Sequence, residues 1–241
     1  MAEEHRVPPE AARHYPRRMG RTSSARAWHG LTAVVATAAL LLQVLLVVQG
    51  GRVLDEAEPP DLPVRLARLV AYFTVQSNLL VAVTAWTLVR DPHRDGPRWR
   101  VLRLASTAGI VVTGLVHLVL LAPLLDLDGA DALADVLLHR AVPLLALAGW
   151  LVLGPRPRVT GGVALGVLAW PLAWLVVTLT VGATTGWYPY PFLDPRQDGV
   201  GAVVASCAAI TLLVGVLLVV ALVLDRRLPA TGDRHPRRRA H

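Results

Sequence analysis

The sequence contains no lysine, and all 24 of its basic residues are arginine. It has one cysteine, Cys207, inside an apolar run, which excludes an intramolecular disulfide and a cysteine-based metal site. Aromatic residues make up only 5 % of the chain, and the apolar mass is Leu, Val and Ala in long unbroken blocks. That pattern excludes the short alternating strands of a β-barrel. The arginines flank the apolar blocks without aromatic interleaving, so the net charge of +7 suits a membrane surface and excludes a nucleic-acid partner. Inverted repeats are missing, as are blocks interrupted at their midpoint by paired Gly or Pro, so the usual sequence marks of a secondary transporter are lacking.

What remains is a chain that is 54 % hydrophobic, more than a soluble core of 241 residues requires. Six blocks, at about 28–50, 66–89, 104–125, 136–153, 161–182 and 199–224, each approach the ~20 residues needed to cross hydrocarbon. The expected fold is therefore all-α, a bundle of six transmembrane helices in a multi-pass protein of the cell membrane. The polar segments 1–27 and 225–241 are expected to be arginine-rich cytoplasmic tails, the first without regular structure. The first block is too long for the ~7–15 apolar residues of a signal-peptide core, so it is expected to remain as a helix.

Charge placement gives the orientation. Nineteen of the 24 arginines lie in the two tails and the second and fourth connections. The other connections carry the acids Asp55, Glu56, Glu58, Asp61, Asp126, Asp128, Asp131, Asp135, Asp194 and Asp198. The arginine-rich face is the cytoplasmic one, which puts both termini inside.

Polar residues within the blocks are the candidates for function. In the second block Thr74, Ser77 and Asn78 recur at i, i+3 and i+4 and share a helix face, while Gln76 points elsewhere. His117 lies in the third block and His139, followed by Arg140, near the outer start of the fourth. Thr74 and His117 come out at a similar depth, about 12 Å from the outer ends of their helices. The loop Gly186 to Asp194 holds Trp187, Tyr188 and Tyr190 between prolines. Gln76, Asn78, His117, Trp187, Tyr188 and Tyr190 are accordingly the expected lining of a substrate site opening to the outer half, and Thr84, Trp86 and Trp174 fall in the inner half. No metal or other cofactor is expected: His117 and His139 are 22 residues apart and lack a third ligand.

Phe73-Thr74, His139 with Pro143 four residues on, Trp170, Trp174 and the run Trp187-Tyr188-Pro189-Tyr190-Pro191-Phe192-Leu193 together resemble the androgen-induced (androgen-dependent) membrane protein family, over roughly 66–224. Animal members of that family are threonine hydrolases of fatty acid esters of hydroxy fatty acids. The resemblance implies an intramembrane lipid-ester hydrolase with Thr74 as nucleophile and His139 as base, membrane lipids as partners and a fatty acid ester as substrate. Asn78 ranks first among oxyanion donors, ahead of Gln76, Tyr188 and Arg140, because it shares a face with Thr74. With no Asp or Glu inside the expected spans, a Thr/His dyad is the most the residues support. The alternative is a non-catalytic membrane protein that binds or transports a lipid or small molecule.

Overall fold

The structure, a computed structural model, describes residues 9–50, 60–156 and 158–229, with side chains from residue 22 onward. Asp55, Glu56, Glu58 and most of the C-terminal tail lie outside these residues. The elements are helical throughout: α1 (Pro9–Val48), α2 (Leu62–Ala71), α3 (Phe73–Arg90), α4 (Pro97–Val116), α5 (Gly129–Val136), α6 (Val142–Leu153), α7 (Gly161–Thr185) and α8 (Pro195–Arg227). Two π-helical turns interrupt this set, His117–Leu121 after α4 and Leu137–Ala141 between α5 and α6.

Five helical stretches are long and apolar enough to cross a membrane, and a sixth is completed when α2 and α3, bent by 69°, count as one span. The protein is therefore a polytopic α-helical membrane protein. Several boundaries differ from expectation. α1 extends back to Pro9, into the segment read as an unstructured tail. The fourth span, Gly129–Leu153, starts seven residues before residue 136 and takes in Asp131 and Asp135, so acids do occur inside a span. The second span is broken at Tyr72, whose extended backbone (φ −66°, ψ 129°) separates α2 from α3 without a Gly or Pro at the break.

Outward faces carry the lipid contact: Leu144, Leu165, Val176, Val200 and Leu212 are all at least 65 % exposed. α4 is the central helix, packed against α3, α6, α7 and α8. Without a hydrophobic driving force in lipid, close approach and hydrogen bonds must hold the helices together. Ser77 accepts from Thr113 at 3.2 Å, Thr84 pairs with Ser106 at 3.1 Å, and Trp28 Nε1 donates to Leu145 O at 3.0 Å. Small residues permit this spacing: the Trp170 ring lies against Gly109, where a Cβ would stand 2.6 Å from it.

At the arginine-rich end, the buried Asp225 accepts from the backbone N–H groups of Arg158 and Val159 at 2.6 and 2.7 Å. Arg103 donates to Gly154 O, and Arg156 donates to Trp150 O at 2.8 Å. These contacts fasten the α6–α7 connection onto the ends of α4 and α8.

Candidate functional site

The break at Tyr72 explains the position of Thr74. A new helix begins at Phe73, so the first N–H groups of α3 have no intrahelical acceptor and the positive end of a helix dipole lies within the bundle. Thr74 sits in that first turn and its N–H donates to the phenol oxygen of Tyr190 at 3.3 Å. Its hydroxyl lies 3.3 Å from the same Tyr190 oxygen and 3.3 Å from His139 Nε2. His139 stands at the centre of the second π turn. The wider turn re-aims a side chain without ending the helix, and such bulges recur at functional sites.

Behind His139 stands Asp135, one helical turn earlier. His139 Nδ1 is 3.0 Å from the Asp135 carboxylate and 3.2 Å from its backbone oxygen. Two acceptors on one ring nitrogen favour the tautomer with the proton on Nδ1, which leaves the Nε2 lone pair facing Thr74. His117, first residue of the other π turn, stacks on His139 with centroids 3.8 Å apart and planes 10° from parallel. Its Nε2 reaches the same Asp135 oxygen at 2.7 Å. Asp135, expected in a loop, thus lies inside the fourth span with its carboxylate against both imidazoles, and ligand atoms of His117, Asp135 and His139 all lie within 4.8 Å of one another.

Two cavities meet at Thr74. One is apolar and bounded by Phe73, Leu168, Leu172, Leu175, Ile210 and Val214 among others. Part of its wall comes from α7 and α8, which touch each other only sparsely. The other is lined by Tyr72, Asp131, Asp135, His139 and Gln43. Thr74, His117 and Tyr190 border both. Burial pushes the Tyr190 phenol above its ordinary pKa, so it keeps its proton and remains a donor.

The expected lining residues divide. His117 and Tyr190 are at the site. Gln76 faces α7, accepting from Trp170 Nε1 at 3.0 Å and donating to Val70 O at 3.0 Å. Asn78 shares the buried face with Thr74, but its amide N–H groups go to Thr74 O at 2.9 Å and Leu138 O at 3.3 Å, which leaves no donor for an oxyanion. Trp187 packs edge-on against Tyr72, under the Arg68 guanidinium, and Tyr188 covers Gly182. Neither borders either of these two cavities. Arg140 is exposed. Trp174 proves to belong beside Thr74, since it donates to Ala71 O at 2.8 Å across the break and packs on Phe73.

The fold and this cluster define a multi-pass membrane protein with a polar His/Asp/Thr site inside the bundle. Compared with models of protein families, with curated proteins and with solved structures, the chain finds no match.

Proposed function

We propose that the protein is an intramembrane hydrolase of lipid esters, with Thr74 as nucleophile, His139 as general base and Asp135 as the residue that orients His139. The observation that carries this reading is the chain of contacts from Thr74 Oγ1 through His139 to Asp135, at 3.3 and 3.0 Å, beside an apolar cavity. The family resemblance of Thr74 and His139 points the same way.

A threonine hydroxyl attacks an ester only if a base removes its proton in the transition state. His139 Nε2 takes that proton as Oγ1 bonds to the carbonyl carbon. The imidazolium formed is stabilised by Asp135, and then protonates the departing alkoxide. Water, deprotonated by the same imidazole, attacks the acyl-threonine, and the carboxylic acid and Thr74 hydroxyl are regenerated. Negative charge on the carbonyl oxygen develops beside the opening turn of α3, where the Thr74 N–H and the Tyr190 O–H supply donors in a site shielded from water. The acyl chain occupies the apolar cavity and the alcohol portion the more polar one.

With the arginine-rich end cytoplasmic, the site lies in the outer half of the cell membrane and draws substrate from the outer leaflet. The test is hydrolysis of a panel of lipid esters by the purified protein and by its Thr74→Ala and His139→Ala variants, together with labelling by a fluorophosphonate probe. Hydrolysis and labelling lost in both variants support the reading. Turnover unchanged in both overturns it, and no turnover by the wild type favours a lipid-binding or transport protein.

A further inference from the structure

Asp135 is in a costly position for a charge. Its side chain is 13 % exposed, inside a membrane-spanning helix, where an ionised carboxylate requires a cation or several hydrogen-bond donors. A second acid, Asp131, lines the same cavity one turn away, and no arginine is among the lining residues. Two carboxylates and two imidazoles therefore share a cavity that no arginine neutralises. The Nε2 atom of His117, a residue only 3 % exposed, has no hydrogen-bond partner, because its 2.7 Å approach to Asp135 is not in line for an N–H···O bond. A ring nitrogen and a carboxylate oxygen thus converge on one small volume as two lone-pair donors.

We propose that His117, Asp135 and His139 form a binding site for one divalent transition-metal ion, best matched by Zn²⁺, with His117 Nε2, a carboxylate oxygen of Asp135 and His139 Nδ1 as ligands. Ligand atoms of these three residues lie within 4.8 Å of one another. Bonds of about 2.0–2.2 Å to Zn²⁺ set tetrahedral ligands roughly 3.3 Å apart. The contacts of 2.7 and 3.0 Å reach that spacing by opening a few tenths of an ångström. Because the imidazoles stack nearly parallel, one of them must turn about its Cβ–Cγ bond for both lone pairs to converge. A turn of the His117 ring, which carries its Nε2 past the Asp135 oxygen 2.7 Å away, is the change that the site requires. Two imidazoles favour Zn²⁺ over the harder Mg²⁺ and Ca²⁺, and water from the cavity that His117, Asp135 and His139 line would complete the tetrahedron.

The site does not depend on the hydrolase reading, but it bears on it. An ion on His139 Nδ1 obliges the ring to keep its proton on Nε2, where it donates to Thr74 Oγ1 and accepts nothing. Metal binding and proton abstraction from Thr74 then exclude each other, so Zn²⁺ acts as an inhibitor of any Thr74-dependent hydrolysis.

The test uses the full-length protein in nanodiscs, stripped with chelator and titrated with Co²⁺, whose visible absorption reports tetrahedral N/O ligation, and with Zn²⁺ in competition. One equivalent is expected, displaced by Zn²⁺. His117→Gln and Asp135→Asn should each weaken binding by more than the ~10- to 100-fold that loss of an outer-shell partner causes. Thr74→Ala removes only the outer-shell acceptor of His139 Nε2–H, so it should keep the tetrahedral spectrum and weaken binding by no more than that ~10- to 100-fold while abolishing hydrolysis, which separates the metal site from the catalytic reading. Spectra that persist in the His117→Gln/Asp135→Asn double variant would assign binding to other histidines, such as His93, and overturn the proposal. Should those variants fail to fold, the wild type alone decides: saturating Zn²⁺ is expected to raise its unfolding temperature by several degrees, and an unchanged temperature overturns the site.

Discussion

The backbone of Gly114 on α4 runs directly against the carbonyl of His139: a Cβ at 114 would lie 3.0 Å from His139 O and 3.3 Å from the Pro143 ring. Neither neighbour can yield easily, one being backbone in a π turn and the other a proline. Gly114→Ala should therefore push the fourth span away from α4, at about 1–3 kcal/mol of overpacking, and move His139 off Thr74. The expected outcome is a lowered unfolding temperature together with loss of fluorophosphonate labelling. Gly215→Ala on α8, where a Cβ meets nothing, is the control and should change neither.

Asp135 should matter to hydrolysis out of proportion to its distance from Thr74. An amide at 135 can donate to His139 Nδ1, which moves the ring proton to Nε2 and removes the base. On the pattern of carboxylate-to-amide changes in hydrolase triads, Asp135→Asn should lower kcat by about 10³- to 10⁴-fold with little change in KM. Equal loss in KM alone would point to substrate binding rather than orientation.

Much of the bundle is legible in the sequence because hydrocarbon imposes a length of ~20 apolar residues, and five of the six blocks match single helices. The bend at Tyr72 is not legible, because sharp kinks are expected at Pro, at Gly/Ser pairs or at π-bulges, and none marks this one. The π turns are hidden for the same reason: an extra residue in a helical turn leaves composition unaltered. Asp135 is a different kind of failure. The acids at 126, 128, 131 and 135 read as a loop, yet Asp131, Asp135 and His139 are spaced i, i+4, i+8, one face of a helix. Extending the fourth span back to Gly129 would have brought the carboxylate beneath the histidine. Asn78 shows the converse: it does share the buried face with Thr74, but its amide is drawn first to nearby backbone carbonyls, here those of Thr74 and Leu138.

Tyr190 is the donor that Asn78 is not. Its phenol reaches both the N–H and the hydroxyl of Thr74 at 3.3 Å, and Tyr190→Phe removes the oxygen while keeping the ring that stacks on Phe192. Loss of one oxyanion donor lowers kcat by about 10²-fold or somewhat more. Stability and KM for a lipid ester should stay near wild type, and Asn78→Ala should by contrast destabilise the fold, measured by thermal unfolding, because the amide's hydrogen bonds to Thr74 O and Leu138 O are lost.

The apolar cavity sets a length limit that can be moved. Leu172 on α7 and Ile210 on α8 both line it. Substituting Trp at either position fills part of the volume that the acyl chain would occupy without touching Thr74, His139 or Asp135. For a series of p-nitrophenyl esters of increasing chain length, hydrolysis of the short esters should be unaffected while KM for the long ones rises. Each methylene denied burial is worth roughly 0.8 kcal/mol, about fourfold in KM, so the loss should grow stepwise with chain length. A uniform loss across the series would mean that the chain lies elsewhere, and that the cavity beside Thr74 holds some other part of the substrate.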